Sequence, residues 1–415
     1  MSDDDWPSPL PRPDDDEVAG ADASVFSVFA PQAETPAGPT PEAVEATSEA
    51  ISVPPPTGSP TGSALAATAE ARVRATSPSG TARLRRAGPL TWIGAILLLA
   101  WLVAVPFMST VTELRQNTQL VVMVLAVLGV NIATGYGGMI SLGHGVFVAL
   151  GSFGAAYAAD DLSLPWIVSI VAGVAVAGVA GGVIGLPALR IKGIHLALVT
   201  MGLAIVFQPL AKRFPAFTGG VSGRAVGAEL VAPEWFGTSR WAEGLYRYLV
   251  CVAVVALAMW LTYNIINSRP GRAMRALRDN DTAAAVYGVN LVATRVTTFA
   301  VSASLAGLAG ALSIILVPFT SQESFPFQES LVLYAMAVLG GLGSLWGSVL
   351  GVAIREVFSW LGELGGGISG LGPVSEFLSL LDEEQFVFGV VLIALTFVFP
   401  RGLIGLFRRR RRAPE

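Results

Sequence analysis

Residues Gly271–Gly310 read GRAMRALRDNDTAAAVYGVNLVATRVTTFAVSASLAGLAG, a basic polar island that runs directly into an apolar stretch. A second long apolar stretch precedes the island, so its position fixes where the chain leaves a hydrocarbon environment and where it returns. Arg272, Arg275 and Arg278 recur every three residues, which places them on one side of a helix that continues the preceding apolar segment. Asn280 or Asp281 then offers a side-chain oxygen to the free amides of a second, short helix over Thr282–Tyr287, and Gly288 ends that helix. The alternative reading is a plain loop whose arginines set orientation and meet anionic lipid. Such a loop has no need of a capped helix.

Composition agrees with a membrane setting. Hydrophobic residues make up 53% of the 415, charged residues only 13%, and the mean hydropathy is +0.62. That balance excludes an ordinary soluble domain. The formal net charge of −4 hides a strong asymmetry, because the acidic residues crowd the first 70 positions while arginines flank apolar runs. Cys251, the one cysteine, lies inside an apolar run, so intrachain disulfides and cysteine-based metal sites are excluded.

Residues 1–85 are rich in Pro, Ala, Ser, Thr, Asp and Glu and contain too little apolar surface to offset the entropy of ordering; a disordered acidic cytoplasmic tail is expected. It lacks the basic and apolar regions of a cleavable signal peptide. Arg83, Arg85 and Arg86, Arg190 with Lys192, Arg269–Arg278, and Arg401 with Arg408–Arg412 mark cytoplasmic edges by the positive-inside rule. Spans between these edges are expected at 90–108, 119–137, 139–159, 165–187, 194–210, 246–266, 296–317, 330–342, 344–362 and 386–400. The result is an all-α polytopic membrane protein of about ten transmembrane helices over 86–407, with both termini cytoplasmic and a basic tail at 408–415. Lys212, Arg213, Arg224, Arg240 and Arg247 break the charge rule on an outer connection that also carries Trp235, Trp241 and Tyr246, aromatics suited to an interfacial belt.

Two of these spans are irregular. Gly135–Gly154 reads GYGGMISLGHGVFVALGSFG, and Gly340–Gly351 reads GGLGSLWGSVLG at a comparable place in the second half. Glycine at this density lets helices approach closely, or lets backbone unwind beside a pathway, and 139–159 is expected to be partly re-entrant. Gly138, Ser141, Gly143, His144, Gly340, Gly341 and Gly343 are therefore candidates for lining a translocation pathway. His144 either faces an interior cavity or is satisfied as a neutral ring by a neighbouring helix. Arg355 and Glu356 are read as pairing locally or snorkelling to the interface.

No phosphate-binding GxxxxGK[ST] loop occurs, and the two histidines, His144 and His195, lie in separate spans with no metal-ligand spacing. No catalytic residues, no bound metal and no bound cofactor are expected on this chain. An ion-coupled secondary transporter would place carboxylates at mid-membrane, whereas Asp160, Asp161, Glu323 and Glu329 fall in loops or near span ends.

In order along the chain, GYGGMISLGHGVF, GLPALRIKGIHLALVTMG, TGGVSG, GRAMRALRDNDTAAAVYGVN, SASLAGLAGAL, ESFPFQESLVLYAMAVLGGLGSLWGSVLG and FPRGLIGLF closely resemble the M-type permease subunits of ATP-binding-cassette importers for branched-chain amino acids. The resemblance covers about 90–407. It implies that the alanine-rich, Gly-ended loop docks on an ATP-hydrolysing subunit, with Asp281, Ala283, Ala284 and Gly288 at the matching positions and Arg272, Arg275 and Arg278 beside them. It also implies two permease subunits, commonly with an H-type relative as the second, an extracytoplasmic solute-binding protein, and ATP with Mg on the partner subunits. The setting implied is the bacterial plasma membrane, with lipid contacts and no nucleic acid. Related permeases for urea or short amides share these motifs.

Overall fold

The computed structural model describes residues 104–366, apart from 190, 192, 228, 229, 231 and 238, together with Gly389. The tail at 1–85, most of the spans expected at 90–108 and 386–400, the tail at 408–415 and the basic residues at 83–86, 190, 192 and 401–412 lie outside the described residues. The described residues are predominantly helical.

Helix α1 (Val111–Val130) starts at a reciprocal cap: the Thr110 hydroxyl accepts the Glu113 amide, and the Glu113 carboxylate accepts the Thr110 amide at 2.7 Å. It continues into a π-helical turn, Asn131–Tyr136. Then follow α2 (His144–Asp160), α3 (Trp166–Ile184), α4 (Ile194–Arg213) and α5 (Arg240–Asn267). The island forms α6 (Arg269–Asp279) and α7 (Asp281–Val286) before α8 (Leu291–Leu316). Helices α9 (Phe327–Gly340) and α10 (Leu345–Gly366) close the described region. A two-residue antiparallel ladder pairs Arg224 with Thr320 and Ala225 with Phe319.

Five helices among the described residues are long and apolar enough to cross a membrane: α1 with its π turn, α3, α4, α5 and α8. A sixth is added if the bent pair α9–α10 counts as one. The expected boundaries at 119–137, 165–187, 194–210, 246–266 and 296–317 match these five. The two irregular spans differ from plain crossings. The segment expected at 139–159 is helical only from His144, because Gly137–Gly143 is unwound. The segments expected at 330–342 and 344–362 form α9 and α10, which meet at 116° across Gly341–Ser344.

The centre of the bundle is α8, packed on α3, α2 and α1. Small residues permit this: a Cβ at Gly151 would overlap the Gly307 carbonyl, and one at Gly307 would overlap the Ala177 methyl. In a membrane, where lipid tails are as apolar as leucine, such close approach gains dispersion contacts that bulkier seams lose. The apolar side chains left exposed on α3, α4 and α5, such as Val171, Val179, Leu198, Val206, Leu257 and Trp260, suit a lipid or subunit boundary.

Candidate functional site

The island folds as its residues dictate. Pro270 opens α6, where a missing amide costs nothing, and Gly271, Met274 and Leu277 form its buried side. Arg272 is exposed and donates to the Asn267 carbonyl, while Arg275 is half-buried. Asn280 ends α6 in extended backbone, and its Oδ1 accepts the Ala283 amide at 2.9 Å to start α7. At the other end the Val289 amide reaches Ala284 O and the Gly288 amide reaches Ala285 O, both at 3.0 Å. That is a Schellman ending, and Gly288 supplies its left-handed residue at φ +79°. Ala284 is buried and Ala283 exposed. The tip of α7 presents Val286 and Tyr287 to the outside, 80% and 86% exposed.

Asp281 has a role beyond the cap. Its Oδ2 accepts Arg295 Nη2 at 2.5 Å, and Arg295 Nη1 donates to Ala188 O and Leu189 O at 3.0 and 2.9 Å. Arg295, one turn into α8, is buried, so the guanidinium ties α7, α8 and the turn at Pro187–Leu189 into one cluster. The composition of the island gives no hint of Arg295; a lone arginine at the start of an apolar run was the available signal.

The two glycine-rich breaks meet beside this cluster. Asn131, buried in the π turn, accepts the Gly343 amide on Oδ1 at 2.7 Å and donates from Nδ2 to Ser344 O at 2.7 Å and Ser348 Oγ at 3.1 Å. Arg278 Nη1 donates to the Gly135 carbonyl. Gly138 lies under the Arg278 side chain, and the chain on to Gly143 is pinned to α4, where the Leu142 amide donates to Thr200 Oγ1 at 3.0 Å. A cleft of about 260 Å³ opens between the island and this backbone, lined by residues including Gly138, Met139, Ala188, Leu277, Arg278 and Arg295.

His144 is fully buried, and both ring nitrogens are partnered: Nδ1 with Ser141 Oγ at 2.9 Å, Nε2 with Ser302 Oγ at 2.6 Å. Ser302 lies eleven residues after Leu291, about 16 Å along α8 at 1.5 Å per residue, so α2 begins well inside the bundle. The partners are hydroxyls of its own turn and of α8. Gly340 and Gly341 serve the α9–α10 contact, where a Cβ at Gly340 would overlap Gly347 O. Of the residues read as pathway candidates, Gly138 and Gly343 thus come to Arg278, Ser141 and His144 form a pair deeper in, Gly143 abuts Thr200, and Gly340 packs on Gly347.

At the opposite end of the bundle Arg224 pairs with Asp161, lies 3.5 Å from Asp160, and stacks over Tyr157. Gln322 nearby is fully buried, and neither of its amide atoms has a hydrogen-bond partner among the described residues. Arg355 Nη1 donates to Met123 Sδ at 3.3 Å, which fixes α10 to α1. Among the described residues no group of acidic, histidine and cysteine side chains has the arrangement of a metal site.

Residues 114–396 match a family described as branched-chain amino acid transport system / permease component. The high-affinity branched-chain amino acid transport system permease protein LivM of Escherichia coli strain K12 is 32% identical over 286 residues, covering 63% of this chain and 66% of its own length. LivH, a permease protein of the same bacterium's high-affinity branched-chain amino acid transport system, is 24% identical over 299 residues, 68% of this chain and 90% of its own. The ribose import permease protein RbsC of that bacterium is 24% identical over 308 residues, 71% of this chain and 92% of its own. The chain thus spans just under two thirds of the length of the LivM relative. No solved structure matches it significantly. The match over 114–396 takes in both glycine breaks and the whole island, and the chain belongs to the branched-chain amino acid transport system permease component family.

Proposed function

We propose that this chain is the permease subunit of an ATP-binding-cassette importer that carries branched-chain or closely related amino acids across the bacterial plasma membrane into the cytoplasm. The observation that carries the reading is the α7 tip: Val286 and Tyr287 stand exposed on a one-and-a-half-turn helix capped at both ends and braced from behind by the Asp281–Arg295 pair. A short helix this exposed has little reason to be so firmly held unless a partner presses on it. The partner is an ATP-hydrolysing subunit, which supplies ATP and Mg; the permease performs no covalent chemistry. Arg272 and Arg275 flank the contact as basic neighbours.

In this mechanism nucleotide binding draws the two ATPases together and displaces α6 and α7, and the displacement passes to the bundle. The bundle opens alternately to the two sides around backbone that is already broken, at Gly137–Gly143 and Gly341–Ser344. A second permease, related to the H-type, completes the pathway, and an extracytoplasmic binding protein delivers the solute. On this reading the island side is cytoplasmic, the remaining spans lie at 90–108 and 386–400, and residues 1–85 remain a solvated tail.

The test is reconstitution of the chain with its ATPase, second permease and binding protein in proteoliposomes. ATP-dependent accumulation of labelled leucine, isoleucine or valine is expected, competed by the other two and not by urea. Accumulation driven by an ion gradient without ATP would overturn the class, and transport of urea or acetamide in place of leucine would overturn the substrate.

A further inference from the structure

The island does more than offer a docking tip, because the last arginine of α6, Arg278, reaches into both glycine breaks. We infer that Arg278 and Asn131 are the two positioning residues of a relay that ties α6 to the π turn and to the α9–α10 bend at once. The inference rests on the coupling role proposed above and adds the route by which movement travels.

Each joint can be stated atom by atom. Arg278 covers Gly138 so closely that a Cβ there would lie 2.9 Å from Arg278 Cγ and 3.0 Å from its Cα. Its Nη1 donates to the Gly135 carbonyl, which sits in the π turn and not in a regular α-helix. Gly135 in turn faces Gly343: a Cβ at Gly343 would sit 3.0 Å from Arg278 Nη1 and 3.3 Å from Gly135 O. Gly343 also holds φ +75°, where a side chain would be strained even with room. Asn131 completes the circuit, because its carboxamide accepts the Gly343 amide while donating to Ser344 O and Ser348 Oγ. Only a side chain that accepts and donates can do both.

Two breaks about 200 residues apart in sequence therefore share one hydrogen-bonded node, with the island's arginine as its third member. A shift of α6 must either break the Arg278–Gly135 bond or carry the π turn with it, and the π turn cannot move without Asn131 acting on Gly343. A π turn at such a point is apt, since its looser hydrogen bonding leaves carbonyls open to outside donors. Arg272, which among the described residues bonds to the nearby Asn267 carbonyl, is not part of the node and serves as the control.

The experiment is hydrogen–deuterium exchange by mass spectrometry on the full chain assembled with its partner subunits in nanodiscs. Arg278→Ala is expected to speed exchange in both 131–143 and 340–348 by about tenfold, equivalent to about 1.4 kcal/mol, with α3 unchanged. Asn131→Leu should speed the Gly343 amide at least as much, and Asn131→Asp, which keeps the acceptor for that amide, should restore part of its protection. Arg272→Ala should change neither segment. In the same preparations Arg278→Ala should raise ATP consumed per amino acid transported severalfold. Faster exchange confined to 131–143 would overturn the relay, and so would a uniform rise that includes α3, which marks a general folding defect. If the two-segment pattern appears but the native complex moves no amino acid, the relay stands and the transport reading fails.

Discussion

The Asp281–Arg295 ion pair stands behind the α7 tip, and removing it from either side gives a quantitative test. Arg295 and Asp281 meet at 2.5 Å with side chains 6% and 21% exposed. Deleting one partner of a fully buried pair costs roughly 3–5 kcal/mol. Two features reduce that figure for Asp281→Asn: the guanidinium keeps Ala188 O and Leu189 O as acceptors, and the carboxylate is partly wet. About 2–3 kcal/mol is expected. Arg295→Met strands the two carbonyls and leaves the carboxylate alone, at about 2–4 kcal/mol. Asp281 has a further interaction besides this pair, so the pair itself is isolated by the double variant, in which single-residue terms cancel. The coupling energy should be about 1.5–2.5 kcal/mol. The assay is reversible unfolding in mixed micelles, with amide exchange across 281–295 as a local readout. A coupling energy below about 0.5 kcal/mol would place the pair with exposed salt bridges and refute the claim that it braces α7.

Other expectations follow from single residues. Gly288→Val finds open space at its Cβ but must hold φ +79°; it should cost roughly 1–2 kcal/mol at the end of α7 and lower solute moved per ATP with insertion intact, and a fully coupled variant would show that the Schellman ending is dispensable. Asn280→Ala removes the α7 cap and should cost about 1 kcal/mol, read as faster exchange of the Ala283 amide. Gln322→Met replaces a buried amide that has no partner among the described residues with an apolar side chain of similar length, and should raise stability by about 1–3 kcal/mol; a loss of stability would reveal a group, water or solute that the amide serves.

What could be read in advance divides by distance along the chain. The island was legible because its determinants are local: Asn280 caps three residues ahead, Gly288 closes the helix it follows, and neither depends on the rest of the fold. The five plain spans were legible from length and apolarity alone. Glycine content marks the irregular spans and underlies the re-entrant character expected at 139–159, but no local pattern states that α2 begins deep in the bundle or that α9 and α10 meet at 116°. Asn131 escaped notice because one asparagine in an apolar run announces nothing until Gly343, 212 positions later, is placed beside it. Arg295 escaped for the same reason, its partners on the Pro187–Leu189 turn lying more than 100 positions away. For His144 the sequence allows a cavity-facing or a satisfied neutral ring, and the hydroxyls of Ser141 and Ser302 partner both of its nitrogens.

If α7 is the place where an ATPase subunit takes hold, a probe attached at its tip must reach that subunit. Cys251 is the only cysteine of this chain and is buried, so Cys251→Ala gives a background in which Tyr287→Cys is the chain's sole thiol and can be labelled before assembly. With a short maleimide–photoprobe attached there in the assembled complex, the adduct should form with the ATP-hydrolysing subunit, change in yield with nucleotide, and be absent when the probe is placed at Trp235 on the opposite end of the bundle. Adducts only with lipid or with the second permease, from a complex that still hydrolyses ATP and transports, would contradict the central claim.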